Sequence, residues 1–154
     1  MGCFPAVDGA ESPVESVAFV ESGGALAERF VAIAPEVSGL DFQNTVDVSK
    51  ALRGDYRPLL NGSMGGGVAV GDVDGDGWLD VYVTSREAAN RLYRQTAPFR
   101  FEDITAAMEG GDSDGVDIGA AMADVDHDGD LDVFVTRYGA ANQLWINDGT
   151  GHFR

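Results

Sequence analysis

The chain has one cysteine, Cys3, among its 154 residues. A single thiol excludes an internal disulfide framework, and it excludes the usual structural zinc patterns, which draw on several Cys or His. The two histidines, His127 and His152, form no H-E-x-x-H pair, and G-x-S-x-G does not occur. The common metalloprotease and serine-hydrolase signatures are therefore missing. Basic residues are scarce, with 10 Lys+Arg against 26 Asp+Glu and a net charge of −16. Nucleic acid and anionic membrane surfaces are poor partners for such a chain. No apolar run is long enough to cross a bilayer, so no membrane insertion is expected. The opening "MGCFPAVDGAESP" has neither the basic start nor the apolar core of an intact signal peptide.

What is present is the composition of a folded protein, 44% hydrophobic and 9% aromatic, with 21 glycines that favour turns and close-packed strands over long helices. Much of the acidity is local. "VGDVDGDGWLDVYVT" (70–84) carries Asp72, Asp74, Asp76 and Asp80 directly against an apolar run. Two carboxylates roughly 5 Å apart repel by about 3 kcal/mol at an effective dielectric near 20. Such crowding predicts a cation.

The motif is repeated. A shift of 52 residues lays "GVAVGDVDGDGWLDVYVTSREAANRLYRQTAPFRF" (67–101) on "GAAMADVDHDGDLDVFVTRYGAANQLWINDGTGHF" (119–153), with 17 of 35 positions identical and no gap. The identities include the four aspartates, Gly77/Gly129, Leu79/Leu131, Asn90/Asn142 and Phe101/Phe153. Each unit reads as a small apolar strand, an aspartate loop, a β-branched strand ("LDVYVTS", "LDVFVTR"), a shorter strand ("NRLYRQ", "NQLWIN"), then a turn and a last strand. In the second unit that turn is "NDGTG", a strong hairpin signal; in the first it is "TAPFR", which predicts a looser turn. Val81, Val83, Val133 and Val135 are expected to be buried, with Tyr82 and Phe134 on the opposite face against a neighbouring unit. Four short strands in such a unit have the size of one β-propeller blade.

A partial third unit precedes these, because "RFVAIAPEVSG" (29–39) aligns with "RFEDITAAMEG" (100–110) at an offset of 71. The stretch 24–34 is read as strand, although its periodicity also fits a helix. The expected organisation is a disordered N-terminal segment (1–16), a partial preceding blade (17–40), an irregular insertion (41–60), a first repeat (61–110) and a truncated second repeat (111–154). The fold class is thus all-β, about two four-stranded blades plus part of a third. A propeller needs more units to close, so the chain is expected to be a fragment of a larger, seven-bladed one.

D-x-D-x-D-G-x-x-D brings three carboxylates to alternate positions and a fourth four residues later, with glycine allowing the sharp turn. The predicted ligands are Asp72, Asp74, Asp76, the Trp78 carbonyl and Asp80 in one loop, and Asp124, Asp126, Asp128, the Asp130 carbonyl and Asp132 in the other. Oxygen-only donors suit calcium, and two ions bound at sites of similar make-up are expected. His127 falls at a non-ligand position. An EF-hand would need an acid at loop position 12, where the chain has Val83 and Val135, and a following helix, where strands are predicted. The glycine-rich "GSMGGGVAVG" lacks the Lys-Ser/Thr of a phosphate loop and is read as tight strand packing. Asp112 and Asp114 are read as a polar loop between blades rather than an acid–base pair.

On these residues the chain resembles the FG-GAP/VCBS propeller repeats, the kind found in integrin α-subunits. The stretch "SGLDF…MGGGVAVGDVDGDGWLDVYVTS…NRLY…F" is also similar to the ASPIC/UnbV and cartilage-acidic-protein-like families. The resemblance covers 61–154 well and 29–60 thinly. It implies calcium in the loop between the first two strands of each blade, and a non-catalytic role in adhesion or recognition in an exported protein. The place would be extracellular, periplasmic or at the cell surface. The alternative is the substrate-binding or non-catalytic part of a secreted polysaccharide- or lipid-active enzyme. The protein or carbohydrate partner is not specified by the sequence; self-association of the isolated chain is expected from its uncovered sheet faces.

Overall fold

β-Branched and aromatic residues set at alternate positions favour half-buried strands, and the chain builds its two units from them. The computed structural model describes residues 32–44, 66–86, 88–109 and 116–154. The readings of 1–16, of most of 17–40 and 41–60, and of Asp112 and Asp114 lie outside these residues.

The first sheet has four antiparallel strands in chain order: β1 (Val68–Gly71), β2 (Asp80–Val83), β3 (Arg91–Ala97) and β4 (Arg100–Asp103). Ala69 pairs with Tyr82 and Tyr82 with Leu92, so these three share one face; Val70, Val81 and Tyr93 share the other. The second sheet repeats the pattern with β5 (Val116–Ala123), β6 (Asp132–Tyr138) and β7 (Gln143–Trp145). "NDGTG" makes the predicted hairpin: Asn147 bridges Phe153, and Ile146 and Arg154 exchange backbone hydrogen bonds of 3.0 Å.

The turn in "TAPFR" is tighter than its sequence suggests. Ala97 pairs with Arg100 across Pro98 and Phe99, and the register shifts between Gln95 and Ala97. Phe99 takes φ 55, a left-handed conformation unusual for a residue with a side chain, and the bulge absorbs the mismatch. The helical pieces among the described residues are single turns. One is α1 (Pro35–Ser38), and the other is a 3₁₀ turn at Thr105–Ala107. α1 lies where the offset of 71 matches the stretch after β4, which holds the 3₁₀ turn. Most of the strand expected over 24–34 lies outside the described residues; residues 32–34 are in no strand, and Ala34 is extended (φ −65, ψ 146) just before the helical turn that Pro35 opens.

Ala69, Tyr82 and Leu92 of the first sheet join Val133, Val135 and Trp145 of the second in one buried cluster, with Ala120 and Met122 packed against it. Each side chain of this size stabilises by about 1.5–3 kcal/mol when fully buried. At the inner edge the backbones nearly touch: a Cβ on Gly67 would stand 2.5 Å from the Ala120 nitrogen, which explains glycine there. The expected burial holds for Val83, Val133, Val135 and Tyr82 but not throughout. Val81 is half-buried, and Phe134 is 38% exposed. Phe134 and Leu144 are the repeat equivalents of Tyr82 and Leu92, and among the described residues no third sheet covers them.

Candidate metal centres

Each aspartate loop joins the first two strands of its sheet: residues 72–79 link β1 to β2, and 124–131 link β5 to β6. In the first loop the Asp72 carboxylate organises the turn. Its Oδ1 accepts from Gly75 N–H at 2.8 Å and Asp76 N–H at 3.2 Å, and its Oδ2 accepts from Gly77 N–H at 2.9 Å. Asp124 does the same through His127 N–H at 2.6 Å and Gly129 N–H at 3.2 Å. The sixth loop position requires left-handed backbone, and glycine supplies it at Gly77 (φ 89) and Gly129 (φ 100). His127, exposed, takes φ 65 at the place where the first loop has Gly75.

The last aspartate of each loop has a role that the motif spacing does not reveal. Asp80 is buried, and its Oδ2 accepts from Val73 N–H and its Oδ1 from Gln95 N–H, at 2.9 and 2.8 Å. Asp132 repeats this with Val125 and Asn147, both at 2.9 Å. These carboxylates staple the loop to the third position of the sheet. Burial pushes the Asp80 carboxyl above its usual range, against the lowering effect of its two backbone donors, and the nearby Asp74 and Asp76 add to the rise. Asp130 is raised as well, by desolvation and by the charges of Asp128, Asp124, Asp126 and Asp132.

Carboxylate oxygens of Asp72, Asp74 and Asp80 lie within 4.8 Å of one another, and those of Asp124, Asp126 and Asp128 do likewise. Both groups can hold a metal ion, and an all-oxygen donor set fits a hard cation. The two groups are not composed alike. Asp76 and Asp132 stand outside them; Asp76 Oδ1 accepts from Trp78 N–H at 2.8 Å, and Asp128 Oδ1, inside its group, accepts from Asp130 N–H at 3.0 Å. Strands rather than helices follow both loops, at Asp80–Val83 and Asp132–Tyr138, which excludes the EF-hand geometry.

Residues 72–135 match the family model of the FG-GAP-like repeat. This stretch is an FG-GAP-like repeat region. It belongs to an all-β, propeller-like domain, whose two sheets pack face to face as neighbouring blades do. Comparison with curated proteins and with solved structures gave no match.

Contacts between the two units, and within the second, join residues that no motif pairs. Asn147, buried, donates from Nδ2 to the Val73 carbonyl at 2.7 Å and to the Leu131 carbonyl at 3.1 Å, tying one aspartate loop to the other. Arg137 and Asp117 form a buried ion pair, Nε to Oδ1 at 2.8 Å, and Asn90 donates to the other Asp117 oxygen at 2.6 Å. A buried pair of this kind costs about 3–5 kcal/mol when one partner is removed. The repeat identity of Asn90 and Asn142 was the available signal for part of this: their side-chain oxygens accept from Ser85 N–H at 2.8 Å and from Arg137 N–H at 3.0 Å, closing equivalent turns.

Proposed function

We propose that the chain is a calcium-binding, non-catalytic propeller segment of an exported protein, used in adhesion or recognition. The observation that carries this reading is the pair of oxygen-only clusters at repeat-equivalent loops of an FG-GAP-like region. Calcium takes six to eight oxygens in flexible geometry, whereas magnesium keeps its water and softer metals prefer nitrogen or sulfur. Asp72, Asp74 and Asp80 would hold one ion, and Asp124, Asp126 and Asp128 the other. The carbonyls of Trp78 and Asp130, with Asp76 and Asp132, are the remaining candidate ligands from the motif. The ion supplies positive charge and no chemistry of reaction. It offsets the repulsion within each loop and fixes the loop that joins the two inner strands.

Extracellular calcium modules bind at about 10⁻⁴–10⁻³ M, a range met outside cells and not in cytosol. This supports an extracellular, periplasmic or cell-surface location. The non-catalytic reading is supported by how the other polar side chains are engaged. Asp117 is held by Arg137 and Asn90, and Asp103 accepts from Thr105. The partner of the surface would be a protein or a carbohydrate.

Equilibrium dialysis of the full chain against calcium, magnesium and zinc tests the reading. Preference for calcium in the submillimolar to millimolar range supports it; preference for zinc, or no uptake of calcium, overturns it.

A further inference from the structure

The two loops face different electrostatic surroundings. Arg94, on β3, stands with Nη1 3.6 Å from Asp74 Oδ2 while its Nη2 donates to Glu102 on β4 at 2.9 Å. Arg94 and Glu102 are register partners, so the sheet itself aims the guanidinium at the loop. The residue 52 positions on is Ile146, which brings no charge to the second loop. Loop position seven differs in the opposite sense, Trp78 in the first and Asp130 in the second. The Asp130 carboxylate lies against Gly149 of the following turn, in a place that a Cβ would fill.

Counting carboxylates, the first loop has Asp72, Asp74, Asp76 and Asp80, or −4, and Arg94, which Glu102 also pairs, sets a partly neutralised cation against Asp74. The second has Asp124, Asp126, Asp128, Asp130 and Asp132, or −5. All of these charges lie within a Debye length of their loop, about 8 Å at physiological salt.

We propose that the two loops take calcium in a fixed order, 124–132 before 72–80, with Arg94 serving as an internal counter-ion that lowers the affinity of the first loop. The proposal rests on the calcium reading above. A divalent ion entering the first loop has to share Asp74 with the guanidinium and is repelled by it. An ion entering the second meets one more carboxylate, Asp130, and Ile146 where the first unit has Arg94. Ligand charge count, together with site rigidity, sets how calcium loops of one shape differ in affinity, and one carboxylate more with one cation fewer corresponds to about tenfold. Arg94 also lets the first loop keep its form at low calcium, so that loop responds to calcium over a higher range of concentration.

The test is calcium titration of the full chain by calorimetry, paired with terbium luminescence. Trp78 lies in the first loop and is the sensitiser for an ion bound there, which the loss of emission in Trp78→Phe verifies. Two binding phases separated by about tenfold are expected, with Trp78-sensitised emission rising in the weaker one. Arg94→Ile, which installs the second unit's residue at a half-buried position, should tighten the weaker phase about fivefold and leave the tighter one unchanged. Asp130→Asn should weaken only the tighter phase. Two equal phases in the wild-type chain, or Arg94→Ile without effect on the weaker phase, would overturn the order of filling while leaving the calcium reading intact. Absence of any calcium binding in the wild-type chain overturns both.

Discussion

Asn147 Nδ2 lies 2.7 Å from the carbonyl oxygen of Val73, so the segment just after the second unit's third strand holds the first unit's aspartate loop. The same side chain takes Gly149 N–H and Gly151 N–H on its oxygen, both at 3.2 Å, and so also shapes the last hairpin. The two candidate metal loops are therefore one connected structure. The equivalent residue of the first unit, Gln95, spends its amide on Ala97 in its own strand at 3.1 Å.

Asn147→Ala is expected to destabilise the chain by about 3 kcal/mol, since it leaves buried carbonyls and N–H groups without partners, each worth about 1–3 kcal/mol. Urea unfolding measures this. A loss under 1 kcal/mol would mean that the loops are held together by other contacts.

The left-handed fourth position of the two loops offers a paired test. Gly75 accepts φ 73 freely, while His127 adopts φ 65 at a cost of about 1 kcal/mol, part of which the greater flexibility of unfolded glycine offsets. His127→Gly should therefore stabilise by about 0.5 kcal/mol, and Gly75→Ala should destabilise by about 1 kcal/mol. Thermal melting of both variants checks the opposite signs.

Tyr93 gives the clearest pH signature. Burial, together with the hydrogen bond from its hydroxyl to Asp41 at 2.9 Å and the nearby negative charge, pushes its pKa from 10.0 up to about 12. A folded-state pKa above the unfolded one contributes stability that is complete below pH 10 and disappears as the pH rises through 12. Ultraviolet titration should show Tyr93 ionising about two units late, and Asp41→Asn should bring it down toward the ordinary value. Ionisation of Tyr93 together with exposed tyrosines would contradict the burial described here.

The face formed by Phe134 and Leu144, 38% and 47% exposed, is the equivalent of a face that is buried in the first unit by the second. An apolar sheet face of this kind promotes association. Sedimentation of the chain at rising concentration is expected to show oligomers, and Phe134→Ser combined with Leu144→Ser is expected to suppress them. Oligomers that persist unchanged in the double variant would place the contact elsewhere.

The strands and loops were legible because their signals are local. Alternation marks β2 and β6, and the repeat at 52 residues doubles every inference, from the strand order to the aspartate loops. The turn at Pro98-Phe99 is tighter than its composition predicts because its left-handed residue is a phenylalanine, a type that composition argues against there. The pairings of Arg94 with Asp74, Asn147 with Val73 and Arg137 with Asp117 join residues far apart in sequence or in different units. No periodicity encodes such partners. For the same reason the staple made by Asp80 and Asp132 was hidden: the motif names the carboxylate but not the two backbone donors that occupy it.

The most direct test of the account is the melting temperature of the full chain in about 1 mM calcium and then in excess chelator. Ions held at about 10⁻⁴ M in one loop and about 10⁻³ M in the other would add roughly 2 kcal/mol to the folded state at that concentration. For a chain of this size a fall of roughly 4–8 °C is expected on chelation, restored when calcium is returned. Equal melting temperatures in the two conditions would contradict calcium as the ion that these loops hold.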